Sequence, residues 1–332
     1  MALVTSHDSA KIVWDFGVHI DSTLVWLDPK RPRDFAIVTN ARAYLGDRQR
    51  KLLLGDRTAR LCSAVAGRRV PGLVTPFGRT VSLGNLRLEL YPSGYLPGAA
   101  SVLITLPSGV RVAYSGAFSP GPSRTAEPME VRHSDVLILD ANYGAPRYRF
   151  SPPASVEEEV LAWVEATLSD GQTPVLLAAC PGKAQDLMAL CAGAGHPIRA
   201  HRTIHAWAKA YRSIGIDLPG CTQFRGHPAA GEILFWPSHL RRSTAIRNLR
   251  RARFAAATGS AIDAGAEKRL KVNRVFPLSA RADFDALVAY AKQSRASDIV
   301  TVGRHAVELA DALNTGSVRA RPLRETPQLD LL

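Results

Sequence analysis

Apolar and polar positions first alternate in short runs along the chain and later lengthen into helical periods. Residues 12–16, 24–27 and 36–39 read as strands, with Pro29, Pro32 and neighbouring charges between the last two. A helical stretch is predicted over 48–66. Residues 81–90, 101–106 and 110–115 are again strand-like, and Ser108 with Gly109 forms a hairpin signal between the last two. Residues 136–139 read as a short buried strand. The character changes at Ser151, Pro152 and Pro153. Ser155 followed by Glu157, Glu158 and Glu159 starts a helix with acids in its first turn, running to about Leu168. Then come a strand at 174–179 and helices at 183–194 and 201–214. An arginine-rich stretch covers 239–254. The strand pattern returns at 275–278, before a helix at 283–292, a last strand at 299–302 and a last helix at 305–313. From about Ser317 the chain is rich in arginine and proline and reads as a flexible tail. Strand–helix alternation indicates α/β architecture.

Length and composition narrow the picture. At 332 residues the chain exceeds what one small core usually holds, so two domains are expected. No apolar run approaches the roughly 20 residues that span a bilayer. Residues 1–10 lack the apolar stretch of a signal peptide. A cytoplasmic protein without a membrane partner is therefore expected. Lys and Arg number 42 against 29 Asp and Glu, a net charge of +13. Such a field attracts polyanions, nucleic acid first among them, although a GC-rich genome, which favours arginine, gives the same excess. Cys62, Cys180, Cys191 and Cys221 show no CxxC spacing and read as buried, reduced thiols. His201 and His205 have zinc-compatible spacing, but no acidic residue lies between them, and an ordinary exposed pair is the better reading. Gly182 and Lys183 lack the spacing of a phosphate loop.

Seven segments carry the candidate chemistry. Thr39-Asn40-Ala41-Arg42-Ala43-Tyr44-Leu45 follows the third apolar run. Next are Pro92-Ser93-Gly94-Tyr95-Leu96-Pro97-Gly98, then Tyr114-Ser115-Gly116-Ala117-Phe118, then Leu139-Asp140-Ala141-Asn142-Tyr143-Gly144. Pro181-Gly182-Lys183-Ala184-Gln185, Leu278-Ser279-Ala280-Arg281-Ala282-Asp283-Phe284 and Val300-Thr301-Val302-Gly303 complete the set. In order and spacing these resemble the motifs of the β-CASP branch of the metallo-β-lactamase superfamily. They are most like the bacterial exonuclease-like proteins associated with a DNA ligase and a helicase. The resemblance covers about residues 10–315. It implies an α/β fold: a metallo-β-lactamase αββα sandwich from residues 1–150 and 273–316, with a β-CASP cap inserted at 151–272 and a tail from 317 to 332.

The scaffold residues of these motifs survive, while the metal ligands do not. Asn40, Arg42, Tyr44 and Leu45 stand where the family has His, His, Asp and His. Tyr95, Arg281 and Val302 stand at further histidines, and Ala117 at the bridging aspartate. Asp140 alone keeps its acid. Zinc takes His nitrogen, Cys sulfur or carboxylate oxygen, and two-metal hydrolysis needs a bridging carboxylate and a polarised water. Leu45, Ala117 and Val302 offer no donor, and Arg42 and Arg281 repel a cation. The resemblance thus implies a catalytically inactive relative with no metal and no cofactor.

Arg42, Arg281 and Asp140 should then converge in one cleft. There the arginines either bind a phosphate or pair with Asp140, or else plug the old site together with Tyr44 and Tyr95. Lys183, Arg241, Arg242, Arg247, Arg250, Arg251 and Arg253 are further candidates for phosphate contact, with little sequence specificity. A solvated helix face is the alternative for that run. Gln328-Leu329-Asp330-Leu331-Leu332 resembles the peptide with which repair and replication proteins dock on the sliding clamp. The expected role is a DNA-binding or scaffold subunit in DNA repair or replication. Its expected partners are DNA rather than RNA, the clamp, and repair proteins such as a translesion polymerase, helicase or ligase. An active exonuclease with a rebuilt metal site and an RNA-processing accessory subunit are the alternatives.

Overall fold

The computed structural model describes residues 10–49 and 51–323. Its fold is mixed α/β, with three sheets. The first sheet runs in chain order: β1 (Ile12–Trp14), β2 (Val18–Ile20), β3 (Trp26–Leu27), β4 (Ala36–Val38), β5 (Leu52–Gly55) and β6 (Leu73–Thr75), with helix α1 (Asp56–Ala66) between the last two. The helix expected over 48–66 is thus a strand followed by a shorter helix. Leu53 is buried in one core while Leu52 and Leu54 are buried in another. An apolar run needed on both faces becomes a strand, and Gly55 then caps the helix.

The second sheet begins with β7 (Thr80–Leu83), β8 (Leu86–Pro92), β9 (Ala100–Thr105), β10 (Arg111–Tyr114) and β11 (Val136–Asp140). The single strand expected over 81–90 is a hairpin, broken at Gly84, whose φ of +58° suits a tight turn. The turn at Ser108 and Gly109 joins β9 to β10 as expected.

Next come α2 (Pro153–Ser169), β12 (Thr173–Ala178), α3 (Lys183–Gly193), β13 (Ile198–Ala200), α4 (Arg202–Ser213), β14 (Thr222–Gln223), β15 (Ile233–Pro237), α5 (Thr244–Arg247), β16 (Ala252–Ala257), α6 (Ala266–Leu270) and β17 (Arg274–Phe276). Their strands form a parallel sheet in the order β14-β13-β15-β12-β16-β17. Residues 274–276, expected to rejoin the first domain, instead pair with β16.

The chain returns to the second sheet through α7 (Phe284–Ser294), β18 (Asp298–Val302), α8 (Ala306–Leu313) and β19 (Arg319–Pro322). The tail expected from 317 is ordered at least to Leu323. Strand β19 pairs with β18, and the Asn314 side chain both donates to the Ala320 carbonyl and accepts from its N–H, each at 2.8 Å. The peptide 328–332 lies outside the described residues.

Alternation along the strands sets the layers. Ile20, Leu27, Ile37 and Leu53 of the first sheet meet Leu88, Val102, Val112, Ile138 and Val300 of the second in one core. The other face of the second sheet carries Leu137 and Leu139, packed with Leu287 of α7 and Leu309 of α8. Val38 and Leu54, on the outer face of the first sheet, join Leu61 of α1 in a cluster that continues into α2, α3, α4 and the third sheet. No helix among the described residues is long and apolar enough to cross a membrane.

The loop of residues 93–99 turns back over α1, where Gly98 has φ +72° and donates its N–H to Glu127 Oε2 at 2.8 Å. A Cβ there would lie 2.5 Å from Arg57 Cβ and 2.6 Å from Thr58 N. Gly98→Ala should lower stability by about 1–3 kcal/mol, read as a fall in the thermal unfolding midpoint.

Candidate functional site

The strand ends converge on a cleft of about 370 Å³ lined by Asn40, Arg42, Tyr95, Ala117, Asp140, Arg281 and Val302. These residues come from the C-terminal ends of β4, β11 and β18 and from the loops after β8, β10 and β17. Open α/β sheets commonly place their sites at such strand ends. Tyr44 and Leu45 do not line the cleft. Tyr44 packs instead toward the α1 side of the first sheet, because the turn at Ala41 to Ala43 carries the chain past the opening. The expected plug containing Tyr44 therefore does not form.

Asp140 and Arg281 form the central contact. Arg281 Nη1 donates to Asp140 Oδ2 at 2.5 Å, and Asp140 Oδ1 accepts from the Asn142 N–H at 3.0 Å. Burial pushes the Asp140 carboxyl above its ordinary value even with the guanidinium beside it. For Arg281, burial is the largest single effect and lowers the pKa, but the Asp140 charge together with Tyr95 and Tyr143 outweighs it and the net shift is upward. Arg281 also lies over the Tyr95 ring, 5.4 Å from its centre, while Arg42 Nη1 donates to the Tyr95 hydroxyl at 3.2 Å. The tyrosine thus bridges the two arginines. Asn40 is committed locally: its amide donates to Thr39 Oγ1 and its carbonyl oxygen accepts the Arg42 N–H, each at 3.0 Å.

Sequence reasoning missed Asp28. It follows β3 directly, with a positive φ of 45°. One carboxylate oxygen accepts the Thr39 N–H at 2.8 Å, and the other accepts the Thr39 hydroxyl at 2.5 Å and that of Tyr114 at 3.3 Å. Burial pushes its carboxyl up to about 6, against the opposing effect of these hydrogen bonds. The available signal was an acid closing a short apolar run directly before Pro29, as Asp140 closes its own strand.

A second recess, of about 320 Å³, shares Arg42, Tyr95, Asn142 and Arg281 with the first and extends to Lys183, Ser238 and Thr258. Lys183 opens α3 and lies 3.3 Å from Asp186. The arginine run lies apart, since none of its arginines lines either recess. Arg241 is stacked 3.7 Å from the Phe254 ring centre and donates to the Lys271 carbonyl, and Arg253 pairs with Asp170 at 3.1 Å. Arg242, Arg247, Arg250 and Arg251 are exposed. His201 is taken up as the cap of α4, accepting from the Thr203 N–H at 3.2 Å. Burial pushes the thiols of Cys62, Cys180 and Cys191 up to about 12, so they are unreactive near neutral pH.

No family model matches the chain. It is 28% identical over 323 residues, 96% of its length, to a probable DNA ligase of Opitutus terrae. It is 26% identical over 106 residues, 31% of its length, to an RNase J-like protein of Methanocaldococcus jannaschii. With RNase aCSPSF2 of Saccharolobus solfataricus it shares 23% over 126 residues, 36% of its length. These relatives support membership of the metallo-β-lactamase/β-CASP nuclease family. The matches span 32% of the ligase and 25% of each of the other two.

That family implies a metal pair, and the residues here do not fit one. Among the described residues, no three His, Cys, Asp or Glu side chains cluster as a metal site. The two carboxylates in the cleft, Asp28 and Asp140, already have donors on all four oxygens. A metal at Asp140 would have to displace a guanidinium and then sit beside its charge.

Removing one partner of the central pair exposes its worth. Arg281→Ala should cost about 1–3 kcal/mol, between the values for exposed and buried pairs. Asp140→Asn in the same chain should recover part of that loss, measured as a double-mutant cycle in urea. The Asp28 carboxyl, raised from 3.8 to about 6, binds its proton more tightly in the folded chain. Its contribution to stability is present below the ordinary value and is lost as the pH rises to about 6. Asp28→Asn should flatten the fall in stability across that window.

Proposed function

We propose that this chain is a nucleic-acid-binding member of the β-CASP nuclease family that does not cleave. It would act as a DNA-binding or scaffold subunit in repair or replication. In this reading the layered first and second sheets are the family's αββα sandwich, and the third sheet with its helices is the cap. The single observation that carries the reading is the Arg281–Asp140 ion pair, which occupies with a guanidinium the carboxylate that a metal would need. Arg42, at the mouth shared by the two recesses, and Lys183 behind it would hold backbone phosphates as charge-assisted hydrogen-bond donors. The candidate clamp peptide, Gln328 to Leu332, would supply a protein contact in the same process.

The probable DNA ligase among the relatives favours DNA as the polymer. The two relatives named as RNases favour RNA as a second reading. Competition between DNA and RNA oligonucleotides of one sequence separates the two.

The test of inactivity combines elemental analysis of the purified chain with cleavage assays on labelled single- and double-stranded DNA and RNA in Zn²⁺, Mn²⁺ or Mg²⁺. The expected result is no stoichiometric metal, no cleavage and retained binding. Stoichiometric metal with cleavage that Asp140→Asn abolishes would overturn the reading. Arg42→Glu should weaken oligonucleotide binding about threefold to tenfold at moderate salt, measured by fluorescence anisotropy.

A further inference from the structure

The outer face of the first sheet is covered on one half only. Alternation sends Val18, Ile20 and Leu27 into the core between the sheets, so His19 and Trp26 point the other way. Register places His19 opposite Trp26, Trp26 opposite Ala36, and Ala36 opposite Leu52 in one row across the sheet. The Leu52 end of that row belongs to the cluster containing α1. The His19 end opens instead onto a recess of about 760 Å³, which shares no lining residue with the cleft. Trp26 is half-buried, packed on one side against the α1 cluster and lining the recess on the other.

Three flat groups are stacked there. His19 lies on Trp26 with ring centres 4.1 Å apart and planes within 4°. The Arg33 guanidinium lies over the Trp26 ring at 3.8 Å from its centre. Two contacts hold the stack in place: His19 Nδ1 bonds to the Val25 carbonyl at 3.0 Å, and Arg33 Nη2 pairs with Asp15 at 2.6 Å. Exposed Arg48 and Lys51 stand at the rim, and Leu24, 67% exposed, projects beside them.

A rigid π-stack beside cationic side chains matches single-stranded nucleic acid. Such strands bind through bases laid on aromatic or guanidinium planes, with phosphates tracking basic residues. A duplex keeps its bases stacked inside and cannot use the planes. We infer that this recess is a second nucleic-acid contact, taking one or two unpaired bases on the His19–Trp26–Arg33 stack and their phosphates on Arg48 and Lys51. The occupant is a single strand, and the contact is independent of the cleft. This rests on the proposed binding of nucleic acid but not on the absence of cleavage.

The test uses the full chain and a thymidine oligonucleotide carrying 5-iodouracil. Photo-crosslinked peptides are mapped by mass spectrometry, and affinity is measured by anisotropy across a salt series. Crosslinks within residues 19–33 are expected, since a base can lie only on the outer face of the stack, against His19 or Arg33. Arg48→Glu with Lys51→Glu should weaken single-strand binding about tenfold and flatten its salt dependence by one to two phosphate equivalents, leaving duplex binding less affected. Trp26→Leu, which keeps an apolar side chain under Arg33, should also weaken binding without changing the salt slope. Oligonucleotide binding that these variants leave unchanged, with crosslinks confined to the cleft, overturns this inference alone and points to a protein as the occupant. No oligonucleotide binding by the unaltered chain overturns both this inference and the nucleic-acid reading.

Discussion

The guanidinium of Arg281 reaches a carboxylate 141 residues earlier in the chain, and the geometry of the cleft depends on that reach. Asp140 ends β11, in the middle of the second sheet, and Arg281 sits between the last strand of the third sheet and α7. The pair therefore joins the two halves of the molecule at the point where their strand ends meet. Two half-buried charges tolerate this position only because each neutralises the other. Tyr95 completes the arrangement by linking Arg281 to Arg42, and its loop is held by the tight approach of Gly98 to α1. A guanidinium–carboxylate pair neutralises the buried acid of this cleft.

Charge is distributed unevenly around that centre. The arginine run of residues 241–253, the densest basic feature of the sequence, spends part of its charge on structure. Arg241 lies on Phe254, and Arg253 pairs with Asp170. Several other cations are flattened on rings: Lys30 over Trp14, Arg31 over Phe16 and Arg33 over Trp26. These contacts cluster on β1 to β3, where strands are too short to bury large aromatic residues fully. Cationic side chains cover what the sheet leaves exposed and keep their charge near the surface.

Local pattern was enough for much of the fold. The hairpin at Ser108 and Gly109, the helix after Pro152, strand β12 and the final strand–helix pair all arise from periodicity and turn chemistry confined to a few neighbouring residues. Tertiary context overrode the pattern where one run served two cores, as at Leu52 to Leu54, or where a small residue broke a strand, as at Gly84. Strands β13 and β14 were missed because they have only three and two residues, whereas β15 and β16, five and six residues long, were missed despite their apolar runs. Parallel strands between helices gain their stability from neighbours distant in sequence.

By itself the sequence determined which chemical groups the cleft could contain. It supplies arginines, tyrosine, alanine and valine at the motif positions, and one acid, and no folding can turn these into a set of histidines. It also set the net positive charge. Only the tertiary structure decided which of these groups meet. It moved Tyr44 and Leu45 away from the opening, brought in Asp28, and paired Arg281 with Asp140. It also built the His19–Trp26–Arg33 stack from three segments whose spacing suggested nothing. Residue identity is a local property, but distance across a sheet depends on register, and register is fixed by the burial of whole strands rather than by any single residue.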